Sequence, residues 1–273
     1  MGVKLTNDGF ICSRSDLNLE STLECGQFFR YFKTDDGGYI AASGDKICKL
    51  FYDGELVRAE TEYPEYFIEY FDFDTDYDKI IEALGRFNEM SEALTVAKGL
   101  RILRQQPFET TVSFIISANN NIKRIRGIIE RLCAKCGQLG NNGIHAFPTR
   151  ESMTALSVED YRALGCGFRS EYLFDTVPKL TDEFLFGIGK LSHNEALKKL
   201  CSLKGIGPKV AECILLFAYK MTGSYPVDTW IFKAGRTDAL DTPKKVGEYY
   251  GSRYGELAGY AQQYIFEYSR KKK

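Results

Sequence analysis

The sequence predicts an α+β protein, in which an antiparallel β-sheet domain is packed on an all-α domain. Up to about residue 58, short β-rich runs alternate with turn residues; from Asp76 onward, apolar residues recur with the 3.6-residue period of helices. The charge changes as well. Residues 1–99 hold 10 Lys and Arg against 20 Asp and Glu, whereas residues 100–273 hold 26 against 17. We therefore predict domains at residues 1–99 and 100–273.

The first domain is predicted to consist of strands joined by tight turns. Between Phe10 and Arg58, the aromatic and β-branched runs are interrupted by Gly and Asp at residues 35–38, 43–45 and 53–54. Such residues between two β-rich runs favour hairpins. A small antiparallel sheet is therefore expected.

The second domain is predicted to be a succession of helices. Residues 108–118 and 122–136 form two of them, separated by three asparagines at residues 119–121, because Asn favours caps and turns. Two more begin near Ser157 and Ser192, where an acidic residue three positions later completes a capping box.

The predicted helix at residues 122–136 has one apolar face and a basic remainder. The apolar face consists of Ile122, Ile125, Ile129, Leu132 and Cys136. The basic residues outside it are Lys123, Arg124, Arg126 and Arg131. These four side chains are placed to meet either phosphate groups or water.

The composition excludes several classes of protein. With 44% apolar residues the chain can bury a core, but its apolar runs are far shorter than the roughly 18 residues of a membrane span. The start of the chain has no apolar signal segment, so we expect a soluble intracellular protein that does not bind membranes. The eight cysteines lack disulfide, zinc or iron–sulfur spacing, and Cys133 and Cys136 are merely helix neighbours. We expect no metal and no cofactor.

The charge asymmetry bears on the partner of the protein. The formal charge is −10 over residues 1–99 and +9 over residues 100–273. A basic domain beside an acidic one is typical of proteins that bind a polyanion through one domain. Ordinary surface charge that segregates by chance is the alternative, and charge alone does not decide between them.

The most informative segment lies at residues 200–217. A helix is predicted to end at Leu203, Gly205 and Gly207 flank a tight turn, and Pro208 suits the first position of the next helix. This is the pattern of a helix-hairpin-helix, whose glycines let a DNA backbone approach and whose free N–H groups suit a phosphate. A glycine turn that serves packing alone is the alternative.

Two residues after this turn combine into a candidate for chemistry. Lys209 lies in the first turn of its helix, where the macrodipole disfavours an ammonium and so favours a nucleophilic amine. Asp228 precedes another helix as a predicted N-cap, and its carboxylate is suited to stabilise the sugar cation left by a departing base. Taken alone, Lys209 is equally a phosphate-binding cation.

Several segments together resemble a known family. LKGIGPKVA at residues 203–211, followed by PVD at residues 226–228, resembles the helix-hairpin-helix DNA glycosylases of the bifunctional branch. Three more segments resemble the eukaryotic-type 8-oxoguanine glycosylases specifically: GLRILRQQPFE at 99–109, SANNNIKRI at 117–125 and LGCGFR at 164–169. The similarity extends from CGQFFR at residue 25 to Phe266, almost the whole chain.

The resemblance implies roles at the lesion. Lys209 would attack the sugar C1′, expel the base and form a Schiff base that permits β-elimination, while Asp228 would activate the amine and stabilise the cationic transition state. Gly26 would offer its carbonyl to the N7–H of oxidised guanine. The flipped base would lie between Cys213 and Phe266, with Gln262 on its Watson–Crick edge. Cys213 and Phe266 also suit ordinary core positions.

The resemblance also implies contacts to the DNA around the lesion. Asn119 would fill the space that the flipped base leaves, and Phe168 would insert into the base stack. Arg124 and Arg169 would hold the orphaned cytosine. Taken singly, Asn119 also suits a helix cap and Phe168 a loop anchor. The expected partner is double-stranded DNA with oxidised guanine opposite cytosine, bound by a monomer.

Two departures from the family pattern stand out. Trp230 occupies a position where the subfamily usually has a histidine near a DNA phosphate, and Trp can neither accept a proton nor carry charge. The segment between Arg236 and Tyr249 is short for a eukaryotic member, which indicates a compact prokaryotic protein acting at the nucleoid in the cytoplasm. An alkylated-purine glycosylase and a catalytically silent DNA-binding module remain the alternatives; the first has no need of Lys209.

Overall fold

The computed structural model describes residues 2–141 and 143–272. Its N-terminal part is an antiparallel sheet with the strand order β1-β2-β6-β5-β4-β3. The strands are β1 (Lys4–Leu5), β2 (Gly9–Ser13), β3 (Tyr31–Lys33), β4 (Tyr39–Ser43), β5 (Lys46–Asp53) and β6 (Leu56–Glu60). The three turns predicted at residues 35–38, 43–45 and 53–54 connect β3 to β6 as successive hairpins. The predicted antiparallel sheet is therefore confirmed.

The rest of the described chain is mostly helical. The helices are α1 (Leu19–Leu23), α2 (Pro64–Tyr70), α3 (Tyr77–Leu84), α4 (Ser91–Val96), α5 (Pro107–Ser117), α6 (Ile122–Cys136), α7 (Arg150–Thr154), α8 (Val158–Ala163), α9 (Arg169–Thr176), α10 (Asp182–Ile188), α11 (His193–Cys201), α12 (Pro208–Tyr219), α13 (Thr229–Gly235), α14 (Pro243–Tyr254) and α15 (Ala258–Lys271). Short 3-10 turns lie at Asn88–Met90, Val177–Lys179 and Gly255–Leu257.

The predicted helix starts are largely correct. Both capping boxes form, Ser157 with Asp160 and Ser192 with Glu195. Helix α5 begins one residue before the predicted start, at Pro107, because proline at the first helical position loses no hydrogen bond.

The predicted apolar face of α6 is partly wrong. Ile128 and Cys133 are fully buried, whereas Ile122 and Cys136 are only partly buried, so the buried stripe is rotated around the helix. Two of its basic residues also bind protein groups, although Arg131 is exposed. Arg126 donates to the Tyr31 carbonyl and lies 3.8 Å above the Tyr31 ring, and Arg131 Nε donates to the Leu164 carbonyl at 2.9 Å.

Two hydrophobic cores hold the molecule together. One lies against the sheet and includes Phe10, Leu50 and Phe67. The other joins the helices, and α3 and α4 contribute to it although they precede residue 100. The boundary at residue 99 stays a prediction.

A buried polar network joins the sheet side to the end of α12. Arg101 Nε donates to the Phe71 carbonyl at 2.7 Å, and its Nη2 donates to the Asp72 carbonyl at 2.7 Å. The Asp72 carboxylate accepts from Arg104 Nε at 2.6 Å and from Lys220 Nζ at 2.9 Å. Because Lys220 caps α12, this network fixes that helix against the N-terminal part.

Within residues 2–141 and 143–272, no helix combines the length and the apolar character that crossing a bilayer would require.

Candidate active site

A cavity of about 110 Å³ opens where the segment after α1 meets α5, α12 and α15. It has the order of size of an engineered protein cavity of about 150 Å³ that admits benzene, so it suits a flat ring. Six residues predicted from the sequence line it: Gly26, Lys209, Cys213, Asp228, Gln262 and Phe266. They come from distant parts of the chain, and the fold brings them together.

Lys209 lies at the start of α12, directly after the hairpin. Gly207 is the N-cap and contributes no side-chain hydrogen bond, so the positive end of the helix is not neutralised by its own cap. The Lys209 Nζ lies 5.3 Å from the centroid of the Phe114 ring, which is itself stacked on Phe217. An aromatic face attracts an ammonium, whereas the helix start disfavours it, so the two effects oppose each other.

Asp228 is the N-cap of α13, as predicted. Its Oδ1 accepts from the backbone N–H of Trp230 at 2.9 Å and of Ile231 at 2.8 Å. Both bonds use the same oxygen, so the cap leaves Oδ2 available at the cavity. The capping bonds also hold the carboxylate in one orientation, which a group acting on a reaction centre requires.

Cys213 lies one helical turn after Lys209 and is buried. Burial raises the pKa of its thiol to about 11, the nearby Lys209 charge lowers it, and Asp228 raises it. The thiol is therefore neutral at physiological pH and forms an apolar wall. Lys209 and Asp228 thus both lie close enough to this sulfur atom for their charges to change its pKa.

Gly26 lines the same cavity as Cys213 and packs near Phe266. Its φ of +80° is one that L residues rarely adopt. A Cβ built at this position would lie 3.6 Å from Phe266 Cζ and 3.5 Å from Ile122 Cδ1, in ordinary contact. The backbone angle, rather than a lack of space, therefore selects glycine here.

Two neighbouring glutamines on α15 close the cavity. Gln262 Oε1 accepts from Gln263 Nε2 at 2.6 Å, and Gln263 Oε1 accepts from the Cys25 thiol at 3.6 Å. This series of hydrogen bonds runs from Cys25 through Gln263 to Gln262. It leaves the NH₂ group of Gln262 to bind another group. Sequence reasoning missed Gln263 and Phe114. The signal for Gln263 was a second amide beside Gln262 on a helix, whereas Phe114 looked like any core residue.

The predicted DNA-contacting residues lie in a second region, which we call the Asn119 surface: Asn119, Arg124, Phe168 and Arg169. Asn119 has a left-handed φ of +49°. The buried Arg169 guanidinium lies under this turn and donates to the carbonyls of Ala118, Asn119 and Cys166. Phe168 is 52% exposed and lies 4.3 Å from that guanidinium.

Arg169 has two competing uses. Its guanidinium is only 2% exposed and already supports the Asn119 turn, so a contact to cytosine would have to compete with these bonds. Burial lowers the Arg169 pKa, and the neighbouring Arg124 charge lowers it further. Two adjacent guanidinium groups therefore repel each other until an electron-rich group lies between them. Their binding of an orphaned cytosine stays a prediction.

The hairpin between α11 and α12 uses its two glycines differently. Gly205 has a φ of +84°, and a Cβ there would lie 2.6 Å from Tyr172 side-chain atoms. Gly205 is therefore required by the fold itself. A Cβ at Gly207 would meet no atom within 4 Å, so its backbone is open to an approaching partner.

Comparison with known proteins identifies the family. Residues 10–111 match the 8-oxoguanine DNA glycosylase N-terminal domain, and residues 112–249 match the HhH-GPD superfamily base excision DNA repair protein. A protein of Arabidopsis thaliana named N-glycosylase/DNA lyase OGG1 is 31% identical over 93% of this chain and 78% of the relative. The chain belongs to the 8-oxoguanine DNA glycosylase family of the HhH-GPD superfamily.

Two further relatives match most or all of the chain. The N-glycosylase/DNA lyase of Saccharomyces cerevisiae is 33% identical over 83% of this chain and 69% of the relative. A Clostridium acetobutylicum 8-oxoguanine glycosylase/lyase, solved with double-stranded DNA containing cytosine opposite 8-oxoguanine, is 33% identical. It superposes with a TM-score of 0.93 over 100% of this chain and 98% of its own. The α+β arrangement of sheet and helical part is thus that of the glycosylase family.

Proposed function

We propose that this chain is a bifunctional glycosylase and AP lyase that removes 8-oxoguanine from duplex DNA. One observation carries the proposal: Lys209 and Asp228 line the same cavity as Gly26, Cys213, Gln262 and Phe266. An amine, a carboxylate and a slot for a flat ring are what glycosidic cleavage at a flipped purine requires.

Lys209 supplies the nucleophile. Its amine forms a bond to the sugar C1′ as the bond from C1′ to the base nitrogen breaks, and the electron pair of that bond leaves with the base. The proton lost by the amine balances the charge on the departing base. Opening of the sugar then gives a Schiff base at C1′, which acidifies the C2′ proton and allows the 3′ phosphate to leave by β-elimination.

Asp228 stabilises the charge that develops during this step. The transition state carries positive charge on the sugar, and a fixed carboxylate beside it lowers its energy. The two capping bonds to Oδ1 hold the group in place before the substrate arrives. Oδ2 is the oxygen that we assign to the sugar and to the Lys209 amine.

The remaining cavity residues select the base. The base lies between the neutral Cys213 thiol and the Phe266 ring, while Gln262 binds its Watson–Crick edge. Gly26 accepts the N7–H that oxidation adds to guanine, which ordinary guanine lacks. The position of Gly26 supports this assignment, because it lines the cavity beside Phe266, one of the two residues that we assign to the flipped base.

The grip on DNA uses the hairpin and the Asn119 surface. The phosphates of one DNA strand bind to the open backbone at Gly207 and to the N–H groups at the start of α12. Asn119 and the exposed Phe168 fill and flank the gap left by the flipped base, and Arg124 with Arg169 binds the cytosine opposite. A complete set of cavity residues within one chain is the arrangement that we propose for a monomer. The near-complete match to a bacterial chain supports a prokaryotic protein working at the nucleoid.

Borohydride trapping tests the proposal. The wild type, Lys209→Gln and Lys204→Gln are incubated with duplexes that carry 8-oxoguanine opposite each base, guanine, an alkylated purine or an abasic site. Lys204 belongs to the same hairpin but does not line the cavity, so it is the matched control. We expect a covalent adduct with 8-oxoguanine opposite cytosine for the wild type and Lys204→Gln, and none for Lys209→Gln.

The other outcomes of this experiment distinguish the alternative functions. Trapping by Lys209→Gln equal to that of the wild type would remove the assigned nucleophile. Excision of the alkylated purine alone would indicate the other glycosylase class, and binding of every duplex without any trapping would indicate a silent DNA-binding module.

A further inference from the structure

A polar cluster behind α12 joins three segments of the chain. His193 is the first residue of α11, and its Nε2 lies 3.0 Å from Glu212 Oε2 and 3.1 Å from Ser224 Oγ. Glu212 belongs to α12, and Ser224 belongs to the loop that follows it. Ser224 is fully buried, and its hydroxyl has His193 as a hydrogen-bond partner.

Both partners of His193 are close in sequence to the candidate catalytic pair. Glu212 follows Lys209 by one helical turn and immediately precedes Cys213. Ser224 precedes Pro226 by two residues, and Pro226 and Asp228 line the cavity. His193 therefore ties the element that carries the amine to the loop that carries the carboxylate, although it does not line the cavity itself.

We propose, on the basis of the function assigned above, that His193 is a positioning residue for base excision. In its protonated form it bridges Glu212 and Ser224 and so sets the position of Asp228 relative to Lys209. Protonation matters because it places a full positive charge beside the Glu212 carboxylate, which strengthens the hydrogen bond that joins the two side chains. A displacement of about 1 Å at a reaction centre can cost about a hundredfold in rate.

The surroundings of His193 favour its charged form. The hydrogen bond to Glu212 raises the His193 pKa, burial lowers it, and Glu212, Asn194 and Glu256 raise it further. Besides Glu212 and Glu256, the cluster has Cys201 of α11, whose pKa is raised by burial and by Glu212. Since the folded pKa is above the ordinary value, the protonated bridge is complete below that ordinary value. It is lost as pH rises through the raised one.

The consequence is a distinctive pH profile. The bridge weakens as pH rises, so it adds a falling limb to the excision rate, opposite in direction to the rise expected of an amine nucleophile. The chain contains two histidines, His145 and His193. A fall in the excision rate that is caused by titration of a histidine must therefore come from one of these two. His145 does not line the cavity and is the matched control.

The experiment measures single-turnover excision of 8-oxoguanine opposite cytosine from about pH 6 to about pH 9. We expect His193→Gln to slow excision about fivefold near neutral pH and to lose the falling limb, with unchanged DNA affinity. Glu212→Gln should move the limb to lower pH, because it removes the charge that favours the imidazolium. His145→Gln should retain the profile of the wild type.

Direct titration of the two imidazole rings by NMR gives a second readout that does not depend on activity. We expect the His193 ring to titrate above about pH 6.5, the ordinary value, and to return toward it in Glu212→Gln. A wild-type profile in both His193→Gln and Glu212→Gln would overturn the proposal. So would a loss of rate in His193→Gln that keeps the falling limb. If His193→Gln does not fold, Glu212→Gln and the NMR titration decide.

Failure of this inference is distinguishable from failure of the proposed function. If the wild type neither excises 8-oxoguanine nor is trapped on abasic DNA, the proposed function fails. If the wild type is active and the His193 and Glu212 variants share its rate and pH profile, only the positioning role fails.

Discussion

The side chains of the cavity and those of the Asn119 surface are held in place in different ways. In the cavity, Cys213 and Gln262 are 4% and 3% exposed, and Asp228 is held by two capping bonds. At the Asn119 surface, Phe168 is 52% exposed, and the turn depends on a left-handed Asn119 supported from below by Arg169. The cavity is built for fixed chemistry away from water, and the surface for contact with a partner. Substitutions in the cavity should therefore change rates, and substitutions on the surface should change affinity.

After the loss of trapping in Lys209→Gln, the largest effect is expected for Asp228→Asn. Asparagine caps a helix as well as aspartate does, so the free energy of unfolding should hardly change. The lost negative charge should slow single-turnover excision at least about tenfold, or about 1.4 kcal/mol of barrier, with unchanged DNA binding. Asp76 caps α3 through the same kind of bond outside the cavity, so Asp76→Asn is the matched control. An unchanged rate in Asp228→Asn would contradict its assigned role.

A smaller effect is expected for Arg124→Ala. An arginine that reads the opposite base is worth about 1 kcal/mol, so the preference for cytosine over adenine opposite the lesion should fall about fivefold. The exposed neighbour Lys123 is the control, because Lys123→Ala should weaken binding to all duplexes alike. Excision rates measured opposite each base decide the outcome. Equal rates opposite cytosine and adenine in the wild type would already refute the assignment.

Phe168→Ala should weaken binding to lesion duplexes about threefold, because stacking gained on insertion is partly offset by the cost of separating the base pairs. The dissociation constant, measured by fluorescence anisotropy, reports this change, and the excision rate at saturating protein should stay close to that of the wild type. Phe186 is 69% exposed on α10 and serves as the control, since Phe186→Ala should leave the affinity unchanged. Equal losses in both variants would mean that Phe168 has no specific contact.

The sequence predicted local features better than their assembly. The hairpins, the two capping boxes and the Asp228 cap follow from turn and cap chemistry between near neighbours, and all of them form. The rotation of the α6 face was missed, because Ile128 and Cys133 become buried only when other elements such as α5 pack against α6. Likewise, the sequence analysis assigned Arg169 to the orphaned cytosine and missed its burial under the Asn119 turn, which depends on contacts 50 residues apart in sequence.

The cavity residues likewise divide into those that the sequence could predict and those that depend on the fold. Motif residues such as Lys209 and Asp228 could be named from the sequence, since an amine after a glycine turn and a capping carboxylate carry a chemical signal. Phe114 could not, because an aromatic residue on an apolar helix has no distinguishing neighbour pattern, and the signal for Gln263 was limited to its neighbour Gln262. His193 was missed for a similar reason: only the fold brings it to Glu212 and Ser224.

The smallest effect probes how closely the Lys209 charge approaches the cavity wall. Because burial raises the Cys213 pKa to about 11, alkylation by iodoacetamide should be slow near pH 8 and should accelerate as pH approaches that value. Lys209 lowers this pKa, so Lys209→Gln should raise it further and slow alkylation again. Cys201, which is partly buried and outside the cavity, is the internal control in the same mass-spectrometric measurement. Labelling of Cys213 that is as fast as that of Cys201 near pH 8, or unaffected by Lys209→Gln, would separate the two groups. The Lys209 amine and the Cys213 thiol would then not lie close together in the cavity. The contrast between a fixed cavity and a partner-binding Asn119 surface depends on that close approach.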